Sequence, residues 1–320
     1  SFVLSCLTCV CHGWRLRASR LQVQSSPLRD GHKPLRRCSR FGGNLVMSQV
    51  GSQSGRPGHQ LHEVPRGVLG PPSHLVPLQV GRGVLPISRH CSVSGDKVDC
   101  KMWRLAFRPA CFHVRNLISE AECDYLMATG EALGMKPATS VVADEHTHRD
   151  PTSAEISRIN CSVAAFPALA DKTVAAISAD CEQLFLQPHV CTPSDWSDGL
   201  GWEQLQVLKY SKGGEFKLHV DAKHSPRVIT VLIYLNGVGR TWLPLAVQDP
   251  EVAEKMAGVN PTSGEVLHEA ARLTPGKEGL APKMEKGDAL VLYNLFDDGS
   301  GCVDSLSLHA GLPAPAERFV

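Results

Sequence analysis

Apolar and polar residues follow no regular period in the first third of the chain. Residues 1–103 are rich in glycine, proline, serine, arginine and histidine, and five prolines between positions 65 and 86 interrupt the apolar runs. Such a composition buries too little apolar surface to offset the entropy of ordering the chain. The sequence therefore predicts a disordered basic leader over residues 1–103 and a folded domain over residues 104–320.

Two helices are expected near the start of the folded domain. Ser119 and Glu122 form the Ser-x-x-Glu pattern of a capping box, and Gly134 supplies a typical stop after the helix. Between residues 168 and 185, apolar residues recur three or four positions apart, as on the buried face of a helix. The predicted helices therefore occupy residues 119–133 and 168–185.

From residue 203 onward, short alternating segments replace the helical period. Glycine pairs and Asn-Gly steps separate these segments, as in tight turns between strands. Several short strands after helices indicate an α+β domain built on an antiparallel sandwich or barrel. The predicted strands cover residues 203–210, 216–221, 228–235, 241–247, 289–294 and 305–309.

Residues 248–284 interrupt this series of strands. Proline-containing turns bracket the segment, and one short helix is expected near residues 251–257. The segment is longer than an ordinary connection between strands. It is therefore interpreted as either an insertion or a functional lid.

Charge and hydropathy narrow the function classes. The chain has 33 Lys+Arg and 32 Asp+Glu, although residues 1–100 alone carry thirteen basic and four acidic residues. That basic arm has no interleaved aromatic residues and no recognisable nucleic-acid-binding module, so a nucleic-acid adaptor is disfavoured. The sequence contains no run of about 18 apolar residues, so it predicts no membrane-spanning helix.

The twelve cysteines do not form a paired metal-binding pattern, and they are few for a disulfide framework in a chain of 320 residues. Those in the folded domain are therefore expected to be small buried hydrophobes. The chain opens with Ser1 rather than with methionine, which indicates a fragment or a processed product.

Candidate metal ligands occur in two of the predicted strands. His219 and Asp221 are two residues apart, so a strand places both side chains on one face. His309 lies in another predicted strand and would complete a set of two imidazoles and one carboxylate. This facial triad is typical of non-haem Fe(II) oxygenases, and it leaves the other coordination positions open. Zinc accepts the same ligands and stays open as an alternative.

Further motifs surround these ligands in a characteristic order. They are Tyr210-x-x-Gly213-Gly214-x-Phe216-x-x-His219-x-Asp221, Arg227-x-x-Thr230-x-x-x-Tyr234-Leu235-Asn236, Gly239-Arg-Thr241-Trp-Leu-Pro244, Lys286-Gly287-Asp288-Ala289-Leu290 and Asp304-Ser-x-Ser-Leu-His309-Ala-Gly311-x-Pro313. With these motifs, residues from about 112 to 320 resemble the catalytic domain of the prolyl 4-hydroxylase family of 2-oxoglutarate- and Fe(II)-dependent dioxygenases. The resemblance is strongest to the plant and algal type and to the collagen-hydroxylase α subunit.

The resemblance implies a double-stranded β-helix, or jelly-roll, core. It implies that His219, Asp221 and His309 bind Fe(II), with no catalytic residue beyond this metal site. Tyr210, Thr241 and Arg318 are implied contacts of 2-oxoglutarate. The family places a lysine ten residues after the second histidine, whereas Arg318 lies nine residues after His309. An arginine can still bind a carboxylate with two hydrogen bonds.

The implied reaction consumes O2 and 2-oxoglutarate, releases succinate and CO2, and hydroxylates proline in a peptide or protein substrate. Ascorbate is the implied reductant that keeps the iron active. Relatives of this type work mostly in the endoplasmic reticulum or Golgi, and that location is the expected one. Two alternatives stay open: a 2-oxoglutarate oxygenase for another residue or a small molecule, and a non-catalytic jelly-roll binding module.

Overall fold

A computed structural model describes residues 70–138, 158–166, 171–186, 205–221, 227–296 and 302–320. The strands, in chain order, are β1 (Leu85–His90), β2 (Lys97–Ala106), β3 (Cys111–Arg115), β4 (Lys136–Pro137), β5 (Arg158–Ala165), β6 (Gln206–His219), β7 (Ile229–Ile233), β8 (Thr241–Trp242), β9 (Ala289–Tyr293), β10 (His309–Gly311) and β11 (Arg318–Phe319). The helices are α1 (Glu120–Ala132), α2 (Lys172–Phe185), α3 (Pro250–Lys255) and α4 (Ser263–Ala270).

Two antiparallel sheets form the framework. The first has the strand order β1-β2-β3-β9-β7. The second has the order β4-β5-β6-β10-β8, and β11 also pairs with β6. Two antiparallel sheets accompanied by a few helices confirm the α+β class predicted from the sequence.

The main hydrophobic core is shared by both sheets and by α1 and α2. The strands contribute alternate side chains to it, and the two helices contribute one apolar face each. Its buried members include Phe112, Val231 and Val291 from the first sheet, Val207 and Phe319 from the second, Leu126 from α1 and Ile177 from α2. This shared core keeps the strands of the second sheet, which carry the site, against a rigid support.

The capping box is present as predicted. The Ser119 hydroxyl accepts a hydrogen bond from the backbone N–H of Glu122, and the Glu122 carboxylate accepts one from the backbone N–H of Ser119. These two contacts satisfy backbone donors that a helix start leaves without partners. The second predicted helix starts later than expected, at Lys172, where Asp171 caps α2.

The expectation that residues 1–103 lack regular structure is wrong for their last part. Both β1 and most of β2 lie there, and residues of β2 such as Val98, Cys100 and Met102 alternate into the core. Pro86 lies in β1, which is the edge strand of its sheet, and proline within a sheet is largely confined to edge strands. Residues 1–69 lie outside the described residues.

Several predicted element boundaries also need correction. The pair Gly213-Gly214 does not separate two strands, because β6 continues through it. Cys161 pairs with Tyr210 and Ile159 pairs with Glu215, so residues 211–214 form a bulge. A Cβ at Gly214 would lie 2.8 Å from the Asn160 carbonyl oxygen, which explains the glycine.

The other differences lie around the segment 248–284. The predicted helix near 251–257 is present as α3, but α4 was not predicted. The predicted strand 241–247 shortens to β8. The predicted strand 305–309 is instead a 3-10 helix over Ser305–Ser307, followed by β10.

Two general expectations concern membrane spans and cysteines. None of the helices in the described part of the chain is both long and apolar enough to cross a bilayer. Six cysteines are free thiols and are buried: Cys91, Cys100, Cys111, Cys123, Cys161 and Cys181. The prediction that cysteines of the folded domain act as small buried hydrophobes therefore holds for these six.

Candidate metal centre

The three predicted ligands meet where β6 and β10 pair. His219 is the last residue of β6, and His309 is the first residue of β10 and lies directly opposite it. Asp221 follows β6 by two residues. One ligand atom from each of the three lies within 4.8 Å of the others. Antiparallel pairing thus brings together residues that are 90 positions apart in the sequence.

The ligand atoms face one another at short range. The Nε2 atom of His219 is 3.3 Å from Oδ1 of Asp221, and the Nε2 atom of His309 is 3.6 Å from Oδ2 of the same carboxylate. The ring of Phe216 stacks on His219 with the centroids 3.6 Å apart. Stacking restricts the rotation of the imidazole and keeps its Nε2 atom directed toward Asp221.

Backbone carbonyls determine the tautomer of both histidines. His219 Nδ1–H donates to the Lys217 carbonyl at 2.7 Å, and His309 Nδ1–H donates to the Ser307 carbonyl at 2.8 Å. A carbonyl only accepts, so each Nδ1 carries a proton, and the neutral form of each ring has its lone pair on Nε2. Two lone pairs and a carboxylate then converge, an arrangement that fits a divalent cation.

Burial keeps His309 in the form that binds a metal. Its side chain is 3% exposed. Burial, with His219 close by, lowers the pKa of His309 to about 4 despite the opposing effect of Asp221. A neutral imidazole at physiological pH has its Nε2 lone pair free for a cation.

A chain of hydrogen bonds orients the carboxylate. The Thr230 hydroxyl donates to Oδ2 of Asp221 at 2.6 Å, and Asn294 Nδ2 donates to the Thr230 oxygen at 2.9 Å. The Nη1 atom of Arg227 lies 3.3 Å from Oδ1 of Asp221. Arg227 and Thr230 belonged to a recognised motif without an assigned role, and Asn294 was missed. The only local signal for Asn294 is a polar residue directly after the wholly buried strand β9.

These contacts also determine the charge of Asp221. Burial by itself would raise the pKa of Asp221, but the protonated forms of His309 and His219, together with the Arg227 guanidinium, outweigh burial and hold the pKa well below its usual range. The carboxylate is therefore ionised. Ionised carboxylate oxygen and neutral imidazole nitrogen are both suitable ligands for divalent iron.

The predicted co-substrate residues line the same pocket as the two histidines. Tyr210, Thr241 and Arg318 all contribute to its wall, together with Leu232, Tyr234 and Val320. The hydroxyls of Tyr234 and Thr241 are 2.7 Å apart. Tyr234 lay in a recognised motif, but no role was predicted for it. The pocket thus combines metal ligands, a cation and hydroxyl groups.

The motif residue Asn236 holds the strand that carries Arg318. Its Nδ2 donates to the Glu317 carbonyl at 2.9 Å, and its Oδ1 accepts from the Phe319 N–H at 3.1 Å. The Leu235 N–H donates to the Phe319 carbonyl at 3.0 Å. These bonds on both sides of Arg318 position it in the pocket, despite its spacing of nine residues from His309.

Known proteins similar in sequence to this chain include several prolyl 4-hydroxylases. No protein-family model matches the sequence. Probable prolyl 4-hydroxylase 4 of Arabidopsis thaliana is 28% identical over 225 residues, which cover 67% of this chain and 65% of the relative. The transmembrane prolyl 4-hydroxylase of Homo sapiens is 31% identical over 137 residues, which cover 34% of this chain and 26% of the relative.

Among solved structures, the viral collagen prolyl hydroxylase from Paramecium Bursaria Chlorella virus-1, in its 2-oxoglutarate complex, matches with a TM-score of 0.40 and 18% identity. The match covers 65% of this chain and 91% of the viral one. The chain spans about 65% of the length of the plant relatives that it matches. By sequence, the chain is similar to the prolyl 4-hydroxylases.

Proposed function

We propose that this protein is an Fe(II)- and 2-oxoglutarate-dependent dioxygenase that hydroxylates proline in a peptide or protein and releases succinate and CO2. One observation carries the proposal. The Nε2 atoms of His219 and His309 converge with the carboxylate of Asp221, and both histidines line the same pocket as the buried Arg318. A metal triad next to a cation suits a metal-bound dicarboxylate.

The metal is held by His219, Asp221 and His309, with each histidine oriented by the carbonyl that accepts its Nδ1–H. Bound iron together with 2-oxoglutarate and O2 supplies the oxidising power, which amino-acid side chains lack. The protein contributes fixed ligand directions. Thr230 and Asn294 add to this by restricting the carboxylate of Asp221.

The distal carboxylate of 2-oxoglutarate binds to Arg318, whose planar guanidinium can donate two parallel hydrogen bonds. Tyr210, Tyr234 and Thr241 line the same pocket. The hydroxyls of Tyr234 and Thr241 are hydrogen-bonded to each other, so one proton of that pair is left to donate to the co-substrate. The apolar side chains of Leu232 and Val320 reduce access of water, which strengthens each polar contact.

Three further features belong to this proposal. The two antiparallel sheets are arranged as a double-stranded β-helix. Ascorbate would be the reductant that keeps the bound iron active. The protein works in the endoplasmic reticulum or Golgi, as the sequence resemblance implies.

Product analysis tests the proposed substrate class. The purified chain would be incubated with Fe(II), 2-oxoglutarate, ascorbate and a proline-rich peptide, and the peptide examined by mass spectrometry. The expected product carries one added oxygen on proline, in equal amount to the succinate formed. An otherwise identical peptide with alanine for proline is the control. Succinate formation without an oxygenated peptide would contradict peptidyl proline as the substrate.

Asp221→Asn is the matched protein control for this assay. It keeps the size of the side chain but removes the negative charge that the metal requires. Turnover at the wild-type rate in this variant would contradict the proposed metal site.

A further inference from the structure

We propose that Arg108 and Asn260 are positioning residues for the metal ligand His309, and that the segment 248–284 acts as a fixed support behind the metal centre. This inference rests on the proposed metal site. It assigns a role to Asp304 and Ser305, which lie in a recognised motif, and to a segment whose role the sequence left open.

The first argument is the packing behind the ligands. Val266 and Ala270 of α4 pack in one cluster with Leu306 and Leu308, and partly buried Leu218 and Val220 join that cluster. Leu218, Val220 and Leu308 are direct sequence neighbours of the three ligands. In extended backbone, neighbouring side chains point to opposite sides, so α4 lies behind the strands whose front carries the metal ligands.

The second argument is the set of contacts made by Arg108. Its Nη2 and Nε donate to the two carboxylate oxygens of Asp304 at 2.9 and 3.3 Å. Its Nη1 donates to the carbonyls of Met256 and Val259 at 2.9 and 2.8 Å. The Arg108 guanidinium therefore joins the end of α3 to the residue that precedes the 3-10 helix. The guanidinium carbon of Arg108 lies 4.6 Å from the centroid of the Phe296 ring.

The third argument is a parallel link through Asn260. Its Oδ1 accepts from the N–H and hydroxyl of Ser305 at 3.1 and 2.6 Å, and its Nδ2 donates to the Val303 carbonyl at 2.7 Å. All three bonds connect the segment 248–284 to the residues just before His309. Asn260 and Arg108 thus hold the same short stretch from two directions.

The chain of contacts continues to the imidazole of His309. Asp304 Oδ1 accepts from the Leu306 N–H at 3.1 Å and so shapes the 3-10 helix Ser305–Ser307. The carbonyl of Ser307 then accepts from His309 Nδ1–H at 2.8 Å. A shift of this helix would move the carbonyl that directs the Nε2 lone pair. The support therefore acts on the direction of a metal ligand, without contact to the metal.

Metal titration of the full chain tests the inference. The probe is Co(II) alone, followed by its visible absorption bands, and each variant is titrated well below its melting temperature. Arg108→Lys is expected to raise the Co(II) dissociation constant about tenfold and to change the band shape, as loss of an orienting contact does in metal sites. Asn260→Ala is expected to have the same effects.

The matched control is Arg89→Lys. Arg89 is a buried arginine that contacts Glu122 and Asp180, and it lies on β1, at the edge of the other sheet. This control is expected to lower the melting temperature without changing Co(II) affinity or spectrum. Equal affinity and spectrum in wild type and Asn260→Ala would overturn the inference, even where Arg108→Lys fails to fold. No binding by the wild type would overturn the metal site itself.

Discussion

Arg318 lies over the ring of Tyr210, with its guanidinium carbon 4.0 Å from the ring centroid. The two residues are directly paired between β11 and β6. Arg318 is 3% exposed, and its Nη1 donates to the Leu312 carbonyl at 3.3 Å. Among the described residues, the Nε atom of Arg318 has no hydrogen-bond partner, and no carboxylate forms an ion pair with the Arg318 guanidinium. A buried cation of this kind is costly unless an anion binds to it.

Removal of this cation is expected to weaken 2-oxoglutarate binding. Hydrogen bonds to charged groups contribute about 1.5–3 kcal/mol, so Arg318→Ala should raise the KM for 2-oxoglutarate roughly ten- to hundredfold. Fe(II) affinity should change little, because Arg318 is not a ligand. The control is Arg272→Ala, which removes an exposed arginine. An unchanged KM in Arg318→Ala would show that the carboxylate binds elsewhere.

The position of Arg318 also depends on Gly239. Gly239 has a φ of +87°, and a Cβ there would collide with Cδ of Arg318. Gly239→Ala is expected to displace the guanidinium and raise the KM for 2-oxoglutarate about tenfold, since small displacements have large kinetic effects.

Gly258→Ala separates this effect from backbone strain. Gly258 has a φ of +77°, but no atom lies within 4 Å of the added Cβ. Both variants should lose stability, and only Gly239→Ala should show the altered KM. If Gly258→Ala raised the KM for 2-oxoglutarate as much as Gly239→Ala does, a steric effect on Arg318 would be contradicted.

Orientation of Asp221 by Thr230 leads to a third prediction. Thr230→Val keeps the shape of the side chain but removes the donor at 2.6 Å from Asp221 Oδ2. Loss of an orienting partner typically weakens metal binding by about ten- to hundredfold. Fe(II) titration should show a weakening in that range. Thr274→Val, at an exposed position, is the control and should bind Fe(II) like the wild type.

A fourth prediction concerns the stability of the folded protein in acid and depends on Glu122, which is not part of the metal centre. Burial would raise the pKa of Glu122, but Arg89 and the N–H groups of Ser92 and Ser119 outweigh it and lower the pKa from 4.5 to about 2. A lowered folded-state pKa contributes stability that is full above the unfolded-state value and is lost as the pH falls. The contribution is about 3 kcal/mol, and it should disappear between about pH 4.5 and pH 2.

The free energy of unfolding, measured by urea titration across this range, checks the prediction. Glu122→Gln should lower stability at neutral pH and flatten the decline in acid. Glu182→Gln, at an exposed position of α2, should retain the wild-type slope. A wild-type slope in Glu122→Gln would mean that another carboxyl group controls acid unfolding.

Local patterns in the sequence were sufficient where the structure depends on neighbouring residues. The capping box of Ser119 and Glu122 is such a case, because its hydrogen bonds join residues three positions apart. The ligands His219, Asp221 and His309 were recognised through motifs, and the pairing of β6 with β10 brings them together as expected. The bulge at Gly213-Gly214 looked like a turn, since glycine pairs are typical of both.

Contacts between distant residues could not be predicted. Arg108 and Asp304 are 196 positions apart, and no periodicity relates them. The alternation in β2 was present in the sequence, but the proline-rich residues before it concealed the start of the folded part. For Asn294, the hydrogen bond to Thr230 becomes visible only when β9 and β7 lie side by side.

The central claim is that His219, Asp221 and His309 bind the iron on which turnover depends. The most direct measurement is Fe(II)-dependent succinate formation from 2-oxoglutarate by His309→Ala, compared with wild type and with His268→Ala, which changes an exposed histidine of α4. The account predicts turnover that requires Fe(II) in wild type and His268→Ala, and none above background in His309→Ala. Succinate formation by His309→Ala at the wild-type rate would contradict it.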